Sequence, residues 1–139
     1  MKMRQGFSPL EIHLGHTVGG TTAHLTRSFH YTALSGIKYT CPSRMLTDGL
    51  SLPRFLWRVL GAPFASPYLA AGIIHDAGCI DAQLAKDEVG LLEAQRLRLI
   101  ADKLFREMLM FLGCSKARAW IFYRGVRIGA NSLRKHAKT

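Results

Sequence analysis

From His24 to Thr32 the chain alternates between apolar and polar positions. Leu25, Phe29 and Tyr31 fall on one face, and His24, Thr26, Ser28 and His30 on the other, the period of a half-buried strand. Leu34-Ser35-Gly36 supplies a turn. Ile37, Tyr39 and Cys41 then alternate with Lys38 and Thr40 until Pro42, which predicts a second strand paired back as a hairpin. Residues 1–22 are polar and glycine-bearing, and read as a loop or extended arm.

After Pro42 the pattern turns helical. Ser51 as N-cap, Pro53 in the first turn and Gly61 as stop predict a short helix over about 52–60. Ser66-Pro67 opens a second helix to about Cys79. A long helix runs from about Asp87 to Leu112 with Gly113 as its stop, and Ser115 caps a last one to about Leu133. The predicted fold class is α+β. A small antiparallel hairpin or sheet precedes three to four helices that include an antiparallel long-helix pair, all in one domain over 23–139 behind the arm.

Composition narrows the class. The 139 residues are 48% hydrophobic, enough for one core and too apolar for general disorder. No run approaches the ~18 apolar residues of a membrane span, and no apolar stretch follows the basic start to make a signal peptide. Cys41, Cys79 and Cys114 are odd in number and lack a C-x-x-C pair, so reduced thiols are expected. The formal net charge is +10, and after Glu107 come Lys116, Arg118, Arg124, Arg127, Arg134, Lys135 and Lys138 with no acid between them. That asymmetry suits either a solvated face or an anionic partner: nucleic acid, an acidic membrane surface or an acidic protein.

The candidate chemistry lies at three separated points. Tyr68, Ala71, Gly72, His75 and Cys79 share one helical face, and Asp76 falls on the adjacent apolar stripe. His75 and Asp76 are about 100° apart around the axis, so a third group is needed to orient the imidazole. Asp102 sits between Leu99 and Phe105 and four residues from both Arg98 and Arg106. It either pairs with one of those arginines on a half-exposed face or faces His75 across an antiparallel helix pair. Asp48, Ser51 and Arg54 gather a carboxylate, a hydroxyl and a guanidinium at a helix start, suited to an anionic or metal-linked substrate or simply to a turn and a cap. Histidines 13, 16, 24, 30 and 136 are scattered and read as surface groups. On the last helix Lys116, Trp120, Arg124, Arg127, Asn131 and Arg134 project within about a quarter turn of each other, with Ala119, Phe122 and Val126 mainly on other sides. Trp120 there either stacks on a base or lipid headgroup or covers the core edge under arginine stems.

Thr47-Asp48-Gly49-x-Ser51-x-Pro53-Arg54 with Trp57, Ala70-Ala71 leading to His75-Asp76, and Ala101-Asp102-x-x-Phe105 with Met108 together resemble a small family of bacteriophage and prophage proteins, domain-of-unknown-function family 1353. The likeness spans about 37–129 and takes in Tyr123-Arg124-Gly125-Val126-Arg127-x-Gly129. It implies a phage origin, and with it the host cytoplasm or the virion, and no particular activity. Gly78-Cys79 departs from the Leu-Tyr type of pair that the family favours. The arrangement is also similar to that of phospholipase A2 enzymes, where a His-Asp pair on one helix faces a supporting Asp on its antiparallel partner, although their disulfides and glycine-rich calcium loop are missing. HD-type phosphohydrolases share the His-Asp pair and need a further histidine for which His30, on a strand, is a poor stand-in.

These readings combine into one expectation. His75 acts as general base, oriented by Asp102. Asp76 and Asp48 serve as ligands to a divalent cation, calcium or zinc, and Ser51 and Arg54 as substrate contacts, in a hydrolase acting on an envelope component or phosphodiester. Arg124, Arg127 and Arg134 form an anion-binding face. The alternative is a virion, tail or assembly component that binds other phage proteins or DNA through its basic helix and arm, its polar residues forming a buried structural network.

Overall fold

The computed structural model describes residues 4–17, 20–41, 46–47 and 68–135. Its strands are β1 (Gly6–Phe7), β2 (Ile12–Thr17), β3 (Gly20–Leu25), β4 (Phe29–Thr32), β5 (Lys38–Cys41) and β6 (Leu46–Thr47), followed by helices α1 (Leu69–Glu88), α2 (Leu91–Phe111) and α3 (Lys116–Lys135). The α+β class holds. The short helix expected over 52–60 lies outside the described residues.

The hairpin forms as the alternation requires. β4 and β5 pair antiparallel with Phe29 opposite Cys41 and Tyr31 opposite Tyr39. The turn is closed by Gly36 N–H donating to the Ala33 carbonyl at 2.9 Å, with Gly36 at φ 89°, a backbone state that favours glycine. Two expectations change. The single strand over His24–Thr32 is two strands, because Thr26, Arg27 and Ser28 bend away exposed and the Thr26 N–H bonds the Glu11 carbonyl instead. β3 thus joins β2 and β6, and β4 joins β1 and β5, giving two three-stranded antiparallel sheets. The stretch 1–22, expected as loop or arm, contains β1, β2 and the start of β3. β1 is fixed by Phe7, which lies opposite Tyr31 and has its ring 5.7 Å from Phe29 and 5.9 Å from Phe111.

The helix breaks follow local chemistry. Residues 80–87 contain no breaker, so α1 continues through them to Glu88. The chain turns at Val89-Gly90, with Gly90 at φ 138°, and a connection this short sets α1 and α2 antiparallel. Gly113, at φ 98°, ends α2, and the Cys114 N–H reaches the Leu109 carbonyl at 2.9 Å. Ser115 Oγ accepts from the Arg118 N–H at 3.3 Å and caps α3. Leu25, Phe29, Tyr31, Ile73, Phe105, Met108, Leu109 and Phe122 are fully buried between sheet and helices. Tyr31 also donates to Glu107 Oε2 at 2.5 Å, fastening β4 to α2. At Gly78 the first two helices nearly touch: a Cβ there would lie 2.7 Å from Ala101 Cβ.

Candidate functional site

Where α1, α2 and α3 meet, the core contains charge. Asp102, completely buried, faces out of α2 toward both neighbouring helices. Its Oδ1 accepts from His75 Nε2 of α1 at 2.6 Å and from Arg98 Nε of its own helix at 2.9 Å. Its Oδ2 accepts from Arg127 Nη1 of α3 at 2.8 Å. Arg98 also donates through Nη2 to the Val126 carbonyl at 3.1 Å. Gly129 leaves room for that guanidinium, since a Cβ there would meet Nη2 at 3.3 Å. One carboxylate thus ties three helices together.

His75 is 1% exposed and packs against Phe105, ring centroids 4.9 Å apart. Cys79, one helical turn on, places Sγ 3.7 Å from both imidazole nitrogens. Burial opposes a charge on His75. The hydrogen bond that His75 donates to Asp102 and the neighbouring Cys79 sulfur favour one, and the balance raises the imidazole to about 9. The ring therefore holds a proton at neutral pH.

His75 meets Asp102 across the antiparallel helices and Arg98 also contacts it, but on a fully buried carboxylate rather than on the half-exposed face that the arginine reading supposed. Arg106, the other arginine considered for it, lies elsewhere, with its guanidinium 5.3 Å from the Trp120 ring centre. Asp76 is buried on the neighbouring stripe, where its charge and that of Asp81 help burial push the Cys41 thiol up to about 12. Among the described residues no group of three His, Cys, Asp or Glu side chains could hold a metal ion. Both Asp102 oxygens are also committed to nitrogen donors, so the described residues do not fit a metal centre. Asp48, Ser51, Arg54 and Trp57 lie outside them.

A family model described as protein of unknown function, DUF1353, matches residues 23–126. The chain belongs to the DUF1353 family. The match contains His75, Cys79, Arg98 and Asp102 and ends one residue before Arg127. Among curated proteins the chain is 36% identical over 55 residues to the uncharacterized protein y4jT of Sinorhizobium fredii (strain NBRC 101917 / NGR234). It is 33% identical over 64 residues to the uncharacterized protein y4iH of the same organism. These segments cover 40% and 45% of this chain and only 16% and 27% of the relatives' own lengths. No solved structure matches it.

Two members of this DUF1353 centre escape sequence reasoning. Arg127 reads as part of the basic face, yet it follows the core residue Val126 and turns inward to Asp102 with its side chain 34% exposed. Cys79 reads only as a small residue on the His75 face; its i+4 spacing from His75 is the signal that marks a contact. Of the rest of the basic face, Arg124 stays at the surface, 5.9 Å from the Trp120 ring centre. Arg134 falls in the last turn of α3, and its side chain lies outside the described residues. Ala119, Phe122 and Val126 are buried as the wheel requires. No helix among the described residues is long and apolar enough to cross a membrane.

Proposed function

We propose that this chain is a small hydrolase whose acid–base group is His75, positioned by Asp102. An envelope component is the leading substrate class and a phosphodiester the next, in the phage or prophage setting that the family resemblance implies. The observation that carries the reading is the 2.6 Å contact between His75 Nε2 and Asp102 Oδ1. It orients the ring, fixes Nε2–H toward the carboxylate and leaves Nδ1 to take or give a proton. Arg98 and Arg127 hold the carboxylate from its other sides, so the orienting group is itself fixed. Buried ionic clusters add little stability over apolar packing of the same volume, and strongly perturbed titratable groups concentrate at functional sites.

Purified chain incubated with a bacterial envelope preparation, with p-nitrophenyl esters and with bis-p-nitrophenyl phosphate is expected to release product from at least one of them. His75→Gln lowers the rate by about 100-fold or more, Asp102→Asn by less, with thermal midpoints that show both variants folded. No turnover on any of the three, or turnover unaltered in folded His75→Gln, overturns the reading.

A second reading rests on a different observation. His75 and Asp102 are sealed at 1% and 0% exposure, which suits a purely structural clasp. The working surface would then be the exposed Trp120 with the guanidiniums of Arg106 and Arg124 over its ring, facing nucleic acid or another anionic partner in an assembly. Collapse of the fold in both His75→Gln and Asp102→Asn, together with salt-sensitive binding of single-stranded DNA, favours this reading over the first.

A further inference from the structure

The buried pair has a thiol neighbour that reaches solvent. His75 and Asp102 are closed off, whereas Cys79 is partly exposed on the same face of α1. Its Sγ lies 3.7 Å from both ring nitrogens, in contact with the imidazole. A thiol beside a base that is oriented by a carboxylate is the arrangement that activates cysteine nucleophiles. The other two thiols, Cys41 and Cys114, are buried. Burial, Asp76 and Asp81 all hold Cys41 protonated.

We propose that Cys79 is a nucleophilic thiol, with His75 as its base and Asp102 as the positioning residue, acting on an electrophilic acyl carbon such as that of an ester, thioester or amide. The Sγ proton resides on His75 Nδ1, where Asp102 stabilises the imidazolium, so the sulfur attacks as the anionic member of that pair. The sulfur lone pair forms a bond to the carbonyl carbon, and the carbonyl π pair moves to oxygen. That pair then returns, the bond to the leaving group breaks, and the leaving group takes the proton from the imidazolium. Water attacks the resulting thioester, releasing a carboxylic acid and restoring the thiol. The substrate class rests on the hydrolase reading; the reactivity of the thiol does not.

Two experiments separate them. In the first, the native full chain is treated with limiting iodoacetamide at pH 7 and the three cysteines are mapped by mass spectrometry. In this probe reaction sulfur displaces iodide from the methylene carbon. Cys79 is expected to react about tenfold faster than glutathione, ahead of Cys41 and Cys114. Folded His75→Gln, or Asp102→Asn should the former unfold, brings Cys79 down to the glutathione rate or below. Wild-type Cys79 reacting no faster than glutathione overturns the proposal, as does an unchanged rate in the folded variant. In the second, Cys79→Ser is assayed on the p-nitrophenyl esters. Loss of turnover alongside that in His75→Gln supports the nucleophile. Turnover kept in Cys79→Ser but lost in His75→Gln removes Cys79 and leaves the hydrolase. Fast alkylation in a wild-type chain that turns over none of the hydrolase substrates removes the hydrolase and leaves the thiol.

Discussion

Arg98 and Arg106 flank Asp102 symmetrically, four residues to either side on α2, yet they do opposite work. Arg98 enters the buried centre, bonding Asp102 Oδ1 and the Val126 carbonyl. Arg106 turns to the surface and lies over Trp120, and its buried Nε has no hydrogen-bond partner among the described residues. On an isolated helix the acid-first spacing, Asp102 to Arg106, is the better of the two. The fold overrides it. His75 draws the carboxylate toward α1 and Arg127 draws it toward α3. Both arginines also reach α3 at points within about two turns of each other, Arg98 at the Val126 carbonyl and Arg106 at Trp120. Which arginine pairs with the acid is decided by what lies across the helix interface.

The comparison breaks most sharply at Asp102. Asp102→Ala leaves Arg98, Arg127 and a protonated His75 facing one another without their anion. Removing one member of a buried ionic cluster costs about 3–5 kcal/mol. Urea unfolding should show that loss, and a change below about 1 kcal/mol would show the centre to be energetically neutral. Asp102→Asn keeps the volume and two acceptor or donor sites, so its loss should be smaller.

Raising the pH tests the same centre without mutation. The His75 imidazole is raised in the folded chain from its ordinary 6.5 to about 9, so the native state binds its proton more tightly than the unfolded chain does. That contribution is complete below about pH 6.5 and disappears as the pH rises through about 9. It corresponds to about 3 kcal/mol over the window. Cys41, raised to about 12, and Tyr31, raised by burial and by its hydrogen bond to Glu107, add losses of their own only above that window. Chemical denaturation at several pH values should give a falling slope between 6.5 and 9 that His75→Gln flattens. A flat wild-type profile would show that the buried ring folds without its proton.

How much of this was legible in the chain differs between the same two regions. The hairpin, the glycine stop at 113, the Ser115 cap and the burial of Ala119, Phe122 and Val126 follow from local period and turn chemistry. The His75–Asp102 pair was legible because an acid and an imidazole in otherwise apolar helices need a partner. Arg127 was not, because α3 is basic on several sides and its rotation is set by Asp102 rather than by its own pattern. Nor was the split between β3 and β4. Leu25, Phe29 and Tyr31 keep a period of two across the bend at 26–28, so both arrangements share one sequence signature.

Gly78 supplies a smaller and more selective perturbation. Gly78→Ala puts a Cβ 2.7 Å from Ala101 Cβ, too close for two carbons, and overpacking of this kind costs about 1–3 kcal/mol. Because α1 carries His75 to Asp102, separating the first two helices should loosen the centre and spare the Arg106–Trp120 surface. Denaturant measurements on double variants decide this. Gly78→Ala with Asp102→Ala should fall short of additivity, and Gly78→Ala with Arg106→Ala should add.

The smallest effect belongs to the surface. Trp120 is 47% exposed, and Arg106 and Arg124 lie 5.3 and 5.9 Å from its ring centre, a geometry worth about 0.5–1 kcal/mol when solvated. A double-mutant cycle of Arg106→Ala and Trp120→Ala should give a coupling in that range, several-fold below the coupling of Arg98→Ala with Asp102→Ala measured in the same way. The reason is dielectric: water screens the surface pair from one side, while the carboxylate of Asp102 is buried among its donors. Equal couplings would mean that the exposed ring holds α2 to α3 as firmly as the ionic centre does, and the division of labour between the two arginines would fail.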